Sequence, residues 1–113
     1  MKFKLNLSER FEFLNLLPKL ENYSTLRIVR KVSKDIGITD DEYKEFDIKQ
    51  EEGKVTWDPK KAEKEKDFEI GEVATQLIIN ALKKLDSDKK LEQIHFSLFE
   101  KFVENQSPEE KEQ

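Results

Sequence analysis

The stretch Ile70–Val103, IGEVATQLIINALKKLDSDKKLEQIHFSLFEKFV, decides the fold. At about 100° per residue, Ala74, Leu77, Ile78, Ala81, Leu82 and Leu85 fall on one stripe, with Gln76, Asn80, Lys83 and Lys84 opposite. That spacing predicts a surface helix over Glu72–Leu85 with a wide buried face, edged by Val73 and Ile79. Lys83 and Lys84 fall in its last turn, where the helix dipole favours cations. Asp86-Ser87-Asp88 supplies a break and a new N-cap. A second helix is expected from Lys90 to Glu104. Its stripe is Leu91, Ile94, Leu98 and Phe102, with His95 and Phe99 beside it and Phe96 and Val103 further round. This apolar arc is about 200° wide, and one antiparallel neighbour covers roughly half of it. The remainder must meet the N-terminal half of the chain or another molecule.

Working outward, Phe3, Leu5 and Leu7 alternate with Lys2, Lys4 and Asn6 and predict a strand with one buried face. Ser8 is read as the cap of a helix that buries Phe11, Leu14 and Leu17, leaves Phe13 and Leu16 off that edge, and ends at Pro18. Ser24 or Thr25 caps the next helix, which runs to Asp35 with Leu26, Ile28, Val29, Val32 and Ile36 inward. Gly37 is expected to be left-handed after it. Thr39 caps a short acidic helix, Asp40–Phe46. Phe46/Ile48 and Val55/Trp57 alternate with polar residues around Glu51-Glu52-Gly53, the pattern of a hairpin whose glycine takes a positive φ. Pro59–Asp67 is nearly all charged and reads as a solvated loop with at most a helical turn, after which Phe68-Glu69-Ile70 adds a further strand.

The expectation is an α+β fold with about five helices and a small antiparallel sheet. Its N-terminal half is winged-helix-like and its C-terminal part is a helical hairpin. Residues 1–104 form one domain and 105–113 a flexible acidic tail.

Composition narrows function. The chain has no Cys, so disulfide frameworks, thiolate metal sites and Cys nucleophiles are excluded. One His cannot build a histidine metal cage. The net charge of −4 argues against a dedicated nucleic-acid binder. No apolar run reaches about 18 residues and the N-terminus lacks a signal-peptide core, so a soluble cytoplasmic protein with no membrane partner is expected. Gly37, Gly53 and Gly71 stand singly, which leaves no phosphate-cradling loop. The run Asp40, Asp41, Glu42 carries no signal of burial, so no shifted general acid or base is expected there. His95 reads as a packed residue, not a catalyst. No catalytic residue, metal ligand or cofactor is assigned.

Two features carry the functional expectation. Arg27, Arg30, Lys31 and Lys34 recur at helical spacing, and with Asp35 they leave a local charge of +3. That stripe suits phosphates or an acidic partner surface. Its bland alternative is a solvated face partly paired with the acids of Asp40–Glu45. Phe96, Phe99 and Val103 extend beyond what one neighbouring helix covers, which suits a protein–protein or homodimer contact. The expected function, which rests on the Phe96/Phe99 surface, is a small non-catalytic protein-interaction module, with self-association or a protein partner. The rival is a winged-helix-like nucleic-acid-binding regulator, disfavoured because its recognition helix would aim Asp40, Asp41, Glu42 and Glu45 at phosphates.

Ile48–Asp58 (Ile-Lys-Gln-Glu-Glu-Gly-Lys-Val-Thr-Trp-Asp) and Leu98–Glu104 (Leu-Phe-Glu-Lys-Phe-Val-Glu) give the chain a pattern that resembles small uncharacterised bacteriophage and prophage proteins. The resemblance runs from Leu17 to Glu104. It implies a phage-related accessory protein, carries no catalytic motif and transfers no site residue.

Overall fold

Strand alternation at the N-terminus has the consequence expected of it. In the computed structural model, which describes residues 2–104, Lys2–Leu5 forms strand β1 with Phe3 and Leu5 buried and Lys2 and Lys4 exposed. Its partner is β4, Lys66–Glu69, in an antiparallel register that sets Phe3 opposite Phe68. The charged run thus ends in a strand, because Phe68 has a buried face to occupy. The acidic tail expected from residue 105 lies outside the described residues.

Helix α1, Leu7–Leu16, starts two residues earlier than a Ser8 cap would allow. Asn6 is the cap. Its side chain accepts from the Glu9 amide while the Glu9 carboxylate accepts from the Asn6 amide, a reciprocal box that satisfies two orphan donors. The helix stops where the residue before Pro18 turns extended. Its inward face is only partly the one expected: Leu17 is buried as its spacing predicts. Phe13 is fully buried, whereas Phe11, Leu14 and Leu16 are half-covered. The α1 helix lies between two apolar clusters and must bury both sides, which blurs its periodicity.

Helix α2, Tyr23–Ile36, is capped by Asn22, not by Ser24 or Thr25. Val32 and Ile36 are buried; Ile28, expected inward, stays exposed at the rim. Gly37 follows with φ −55, so it is not left-handed. Its amide donates to the Ser33 carbonyl at 2.9 Å, and a Cβ there would meet that same oxygen at 2.9 Å. Close approach is what requires glycine. Helix α3, Asp40–Glu45, is capped by Thr39 as expected, again as a reciprocal box, here with Glu42.

The hairpin pairs β2, Lys49–Glu51, with β3, Lys54–Thr56, around Glu52 (φ 49) and Gly53 (φ 78), the two positive values of a type I′ turn. All six strand residues are exposed, so the hairpin projects from the body. It forms a sheet separate from β1–β4, where one sheet was expected. A short α4, Pro59–Ala62, replaces part of the expected loop, with Asp58 as cap and proline at its first position.

Helix α5, Glu72–Ser87, carries Ala74, Ile78 and Leu82 inward, as its stripe predicts. The second C-terminal helix is not one regular helix. A 3₁₀ turn, Gln93–His95, leads into α6, Phe96–Phe99, and a π turn, Glu100–Glu104. Leu98 and Phe102 nevertheless reach the same core as Ile78 and Leu82, so the two segments do fold against each other. Phe102 stacks on Phe3 at 4.1 Å and tilts against Phe13 at 5.7 Å, which ties the C-terminus to β1 and α1. The fold is α+β: the described residues form six α-helices and two small two-stranded antiparallel sheets.

Candidate functional site

The strongest polar construction is buried. Arg10 lies mid-way along α1, and its guanidinium donates to both Glu42 oxygens, at 2.6 and 2.9 Å. It also donates to the carbonyls of Ile36 and Gly37, at 3.1 and 2.8 Å, and stacks over Phe68. One side chain therefore closes the last turn of α2, anchors the first turn of α3 and covers β4. Hydrogen bonds from Arg10 outweigh the burial that opposes ionisation, the Thr39 amide and the charges of Arg10 and Lys66 add to them, and the Glu42 carboxyl is held down at about 2. Glu42 is thus buried, contrary to the expectation for the acidic run, while Asp40, Asp41 and Glu45 stay exposed. A cleft of about 360 Å³ opens beside this pair. Its cations face its own acids, with Lys66 3.8 Å from Glu42 and Lys64 4.0 Å from Glu45.

A second construction centres on Lys101. Its ammonium donates to Glu9 at 2.7 Å, to Glu65 at 2.6 Å and to the Lys4 carbonyl at 2.6 Å. Burial works against the charge, but the hydrogen bonds to Glu65 and Glu9 prevail and the group sits above its ordinary 10.5. Both constructions join elements of the fold. Each cation in them is paired with a carboxylate of the chain, and the second Glu9 oxygen is buried without a hydrogen-bond partner among the described residues.

His95 is buried. Its Nδ1 accepts the Glu92 amide at 3.0 Å, which puts the neutral ring's proton on Nε2, 3.3 Å from Glu12. Both nitrogens are engaged, the arrangement of a packed histidine. Among the described residues no group of three or more His, Cys, Asp or Glu side chains could hold a metal ion. No helix among them is long and apolar enough to cross a membrane.

The basic stripe lies where its spacing places it. Arg27, Arg30, Lys31 and Lys34 are all exposed on the face of α2 opposite Val29, Val32 and Ile36. Among the described residues none of them forms an ion pair, with Asp40–Glu45 or with any other acid. Tyr23, 76% exposed, extends the stripe by one turn, and the Arg27 guanidinium lies 5.9 Å from its ring centroid. Shallow depressions run along this face, one lined by Tyr23, Arg27, Arg30, Lys31 and Lys34, the next by Ser24, Arg27, Ile28 and Lys31. They lead into a deeper groove of about 420 Å³ between α2 and the first turn of α5. Ile28, Val32, Val73 and Ala74 give that groove an apolar lining, and Lys31, Asp35, Glu69 and Glu72 stand around it.

The aromatic surface of the last helical segment is divided by the fold. Phe99 and Val103 are half-buried against the main core. Phe96 is 61% exposed, and Ile94, which the stripe had placed inward, is 48% exposed. The 3₁₀ turn is the reason, since it rotates Ile94 out of register with Leu98 and Phe102.

Arg10, Glu42, Glu9 and Lys101 were not singled out by sequence. One signal was legible. Asn6-Leu-Ser-Glu9 and Thr39-Asp-Asp-Glu42 both have capping-box spacing. Which cation meets which glutamate is a matter of tertiary structure. No protein-family model, curated protein or solved structure matches the chain.

Proposed function

We propose that this chain is a non-catalytic protein-interaction module that receives an acidic partner surface on α2. The observation that carries the reading is a helix face with four exposed cations against one acid, Asp35, and with no ion pair among the described residues, on a chain of net charge −4. An ordinary solvated face mixes signs. Here the acids of α3, whose pairing with α2 was the bland alternative, either face solvent or, as Glu42, turn inward to Arg10. Retention on a polyglutamate resin at low salt tests this. Wild-type protein should be held and released by salt, and a variant with Arg27, Arg30, Lys31 and Lys34 all changed to Glu should flow through. Wild-type flow-through at low salt would end the reading. A cytoplasmic setting accords with it, and a phage-related accessory role rests on the resemblance of Ile48–Asp58 and Leu98–Glu104 alone.

Two other readings each have one observation in their favour. Exposed Phe96 and Ile94 support self-association, which light scattering over a concentration series would reveal as a rising mass that Phe96→Ser abolishes. The order α2, α3, projecting hairpin supports a nucleic-acid-binding regulator of winged-helix type. Exposed Asp40, Asp41 and Glu45 on α3 weigh against it, and the absence of a duplex shift at low salt would remove it.

A further inference from the structure

We infer that the partner docks as an amphipathic helical segment, its apolar side seated in the groove between α2 and α5 and its acidic flank turned to Arg27 and Lys31. The inference rests on the reading of α2 as an acidic-partner surface and adds the partner's form. Lys31 and Ile28 are shared between the cationic strip and the apolar groove, so charge and greasy surface are continuous. A partner with carboxylates alone would leave Ile28, Val73 and the apolar floor uncovered. A purely apolar one would leave Arg27 and Lys31 unanswered. The groove has helical walls on both sides, α2 and the start of α5, and an amphipathic helix laid beside them would insert anchors at i, i+4 and i+7. The cations from Arg27 to Lys34 span about 10 Å of helix axis, which is two turns of such a segment.

The far side of the groove distinguishes this partner from nucleic acid and from an anionic membrane. Glu72 stands there beside the apolar lining, Asp35 follows Lys31 by one turn on the α2 wall, and a surface of closely spaced phosphates would meet both acids as well as the cations. A polypeptide can place carboxylates on one flank and lysine or small residues on the other. Charge complementarity therefore selects a helix with one acidic flank.

The test uses the full chain and a fluorescein-labelled peptide of about 16 residues, with Leu at i, i+4, i+7 and i+11 and Glu along one flank. Anisotropy at low salt should show saturable binding. Arg27→Glu with Lys31→Glu should weaken it about tenfold or more and flatten its salt dependence. Val73→Glu, half-exposed in the first turn of α5 where an acid suits the dipole, should weaken it about tenfold while the protein melts as wild type. A Glu-only peptide of equal length should bind more weakly than the amphipathic one. If Val73→Glu and loss of the leucines change nothing while charge reversal abolishes binding, the groove inference is overturned and the acidic-partner reading stands. If neither peptide binds, both fall. Tighter binding of a DNA duplex or of phosphatidylserine vesicles than of the amphipathic peptide would also overturn the inference.

Discussion

Glu9 and Glu42 do the same double duty at different places. Each is the third residue of a capping box, and each also receives a distant cation, Lys101 and Arg10 respectively. A helix start and a long-range contact are thereby made by one carboxylate, so neither can be lost alone. Arg10→Met should cost about 3–5 kcal/mol in urea unfolding, because it leaves Glu42 buried beside the uncapped carbonyls of Ile36 and Gly37. Adding Glu42→Leu should cost less than the sum of the single changes. The Glu42 carboxyl is held at about 2 in the folded protein against an ordinary 4.5. Its contribution is therefore complete above about 4.5 and lost as the pH falls toward 2, an effect of about 3 kcal/mol by linkage. Unfolding midpoints from pH 7 to 2 should fall through that window in wild type and fall less in Glu42→Gln. Lys101→Met should cost about 2–4 kcal/mol at pH 7, since Glu9 is then buried without its cation. Equal melting of the variant and wild type at neutral pH would refute it.

At the scale of elements, three irregularities have local physical causes. Gly37 ends α2 without a left-handed residue, because the chain turns so tightly that its α-carbon passes the Ser33 carbonyl. Gly37→Ala should lower stability by about 1–3 kcal/mol through that clash, whereas Gly71→Ala meets nothing within 4 Å and should be close to neutral. Thermal melts of the two variants side by side separate the cases. The β2–β3 hairpin is held by its turn and by residues at its base: Phe46 and Ile48 are buried and Trp57 stacks on Phe11 at 5.2 Å. The final helical segment changes winding twice, and that change sends Ile94 outward while Leu98 and Phe102 stay inside.

For the whole molecule, α1 is the shared wall of two apolar clusters. One joins β1, α2, β4, α5 and the C-terminal turns; the other gathers Leu7, Phe46, Ile48 and Ala62 beneath the hairpin. Phe13, fully buried and touching Phe102, should be the more costly deletion: Phe13→Ala at about 3–5 kcal/mol in denaturant unfolding, well above Trp57→Ala, whose ring is half-exposed. A reversed order would show that the hairpin cluster dominates. The charge distribution is also a property of the whole. Acids dominate α3, acids and cations alternate around the cleft beside Arg10, cations dominate the outer face of α2, and the groove joins that face to α5.

Local sequence was enough for the elements whose signal is periodic or stereochemical: the α5 stripe, the Thr39 cap, the Glu52-Gly53 turn, the alternation of Phe3 and Leu5, and the cationic outer face of α2. Each is written within a dozen residues, where spacing maps directly onto a face or a dihedral angle. Only tertiary structure decided that β1 pairs with β4, that Phe13 is central, that Glu42 is a buried anion, and that Phe99 is covered while Phe96 is not. Those outcomes depend on partners tens of residues away. A helix packed on two sides has no single stripe to read, and a carboxylate declares its burial only once the arginine that compensates it has been brought alongside.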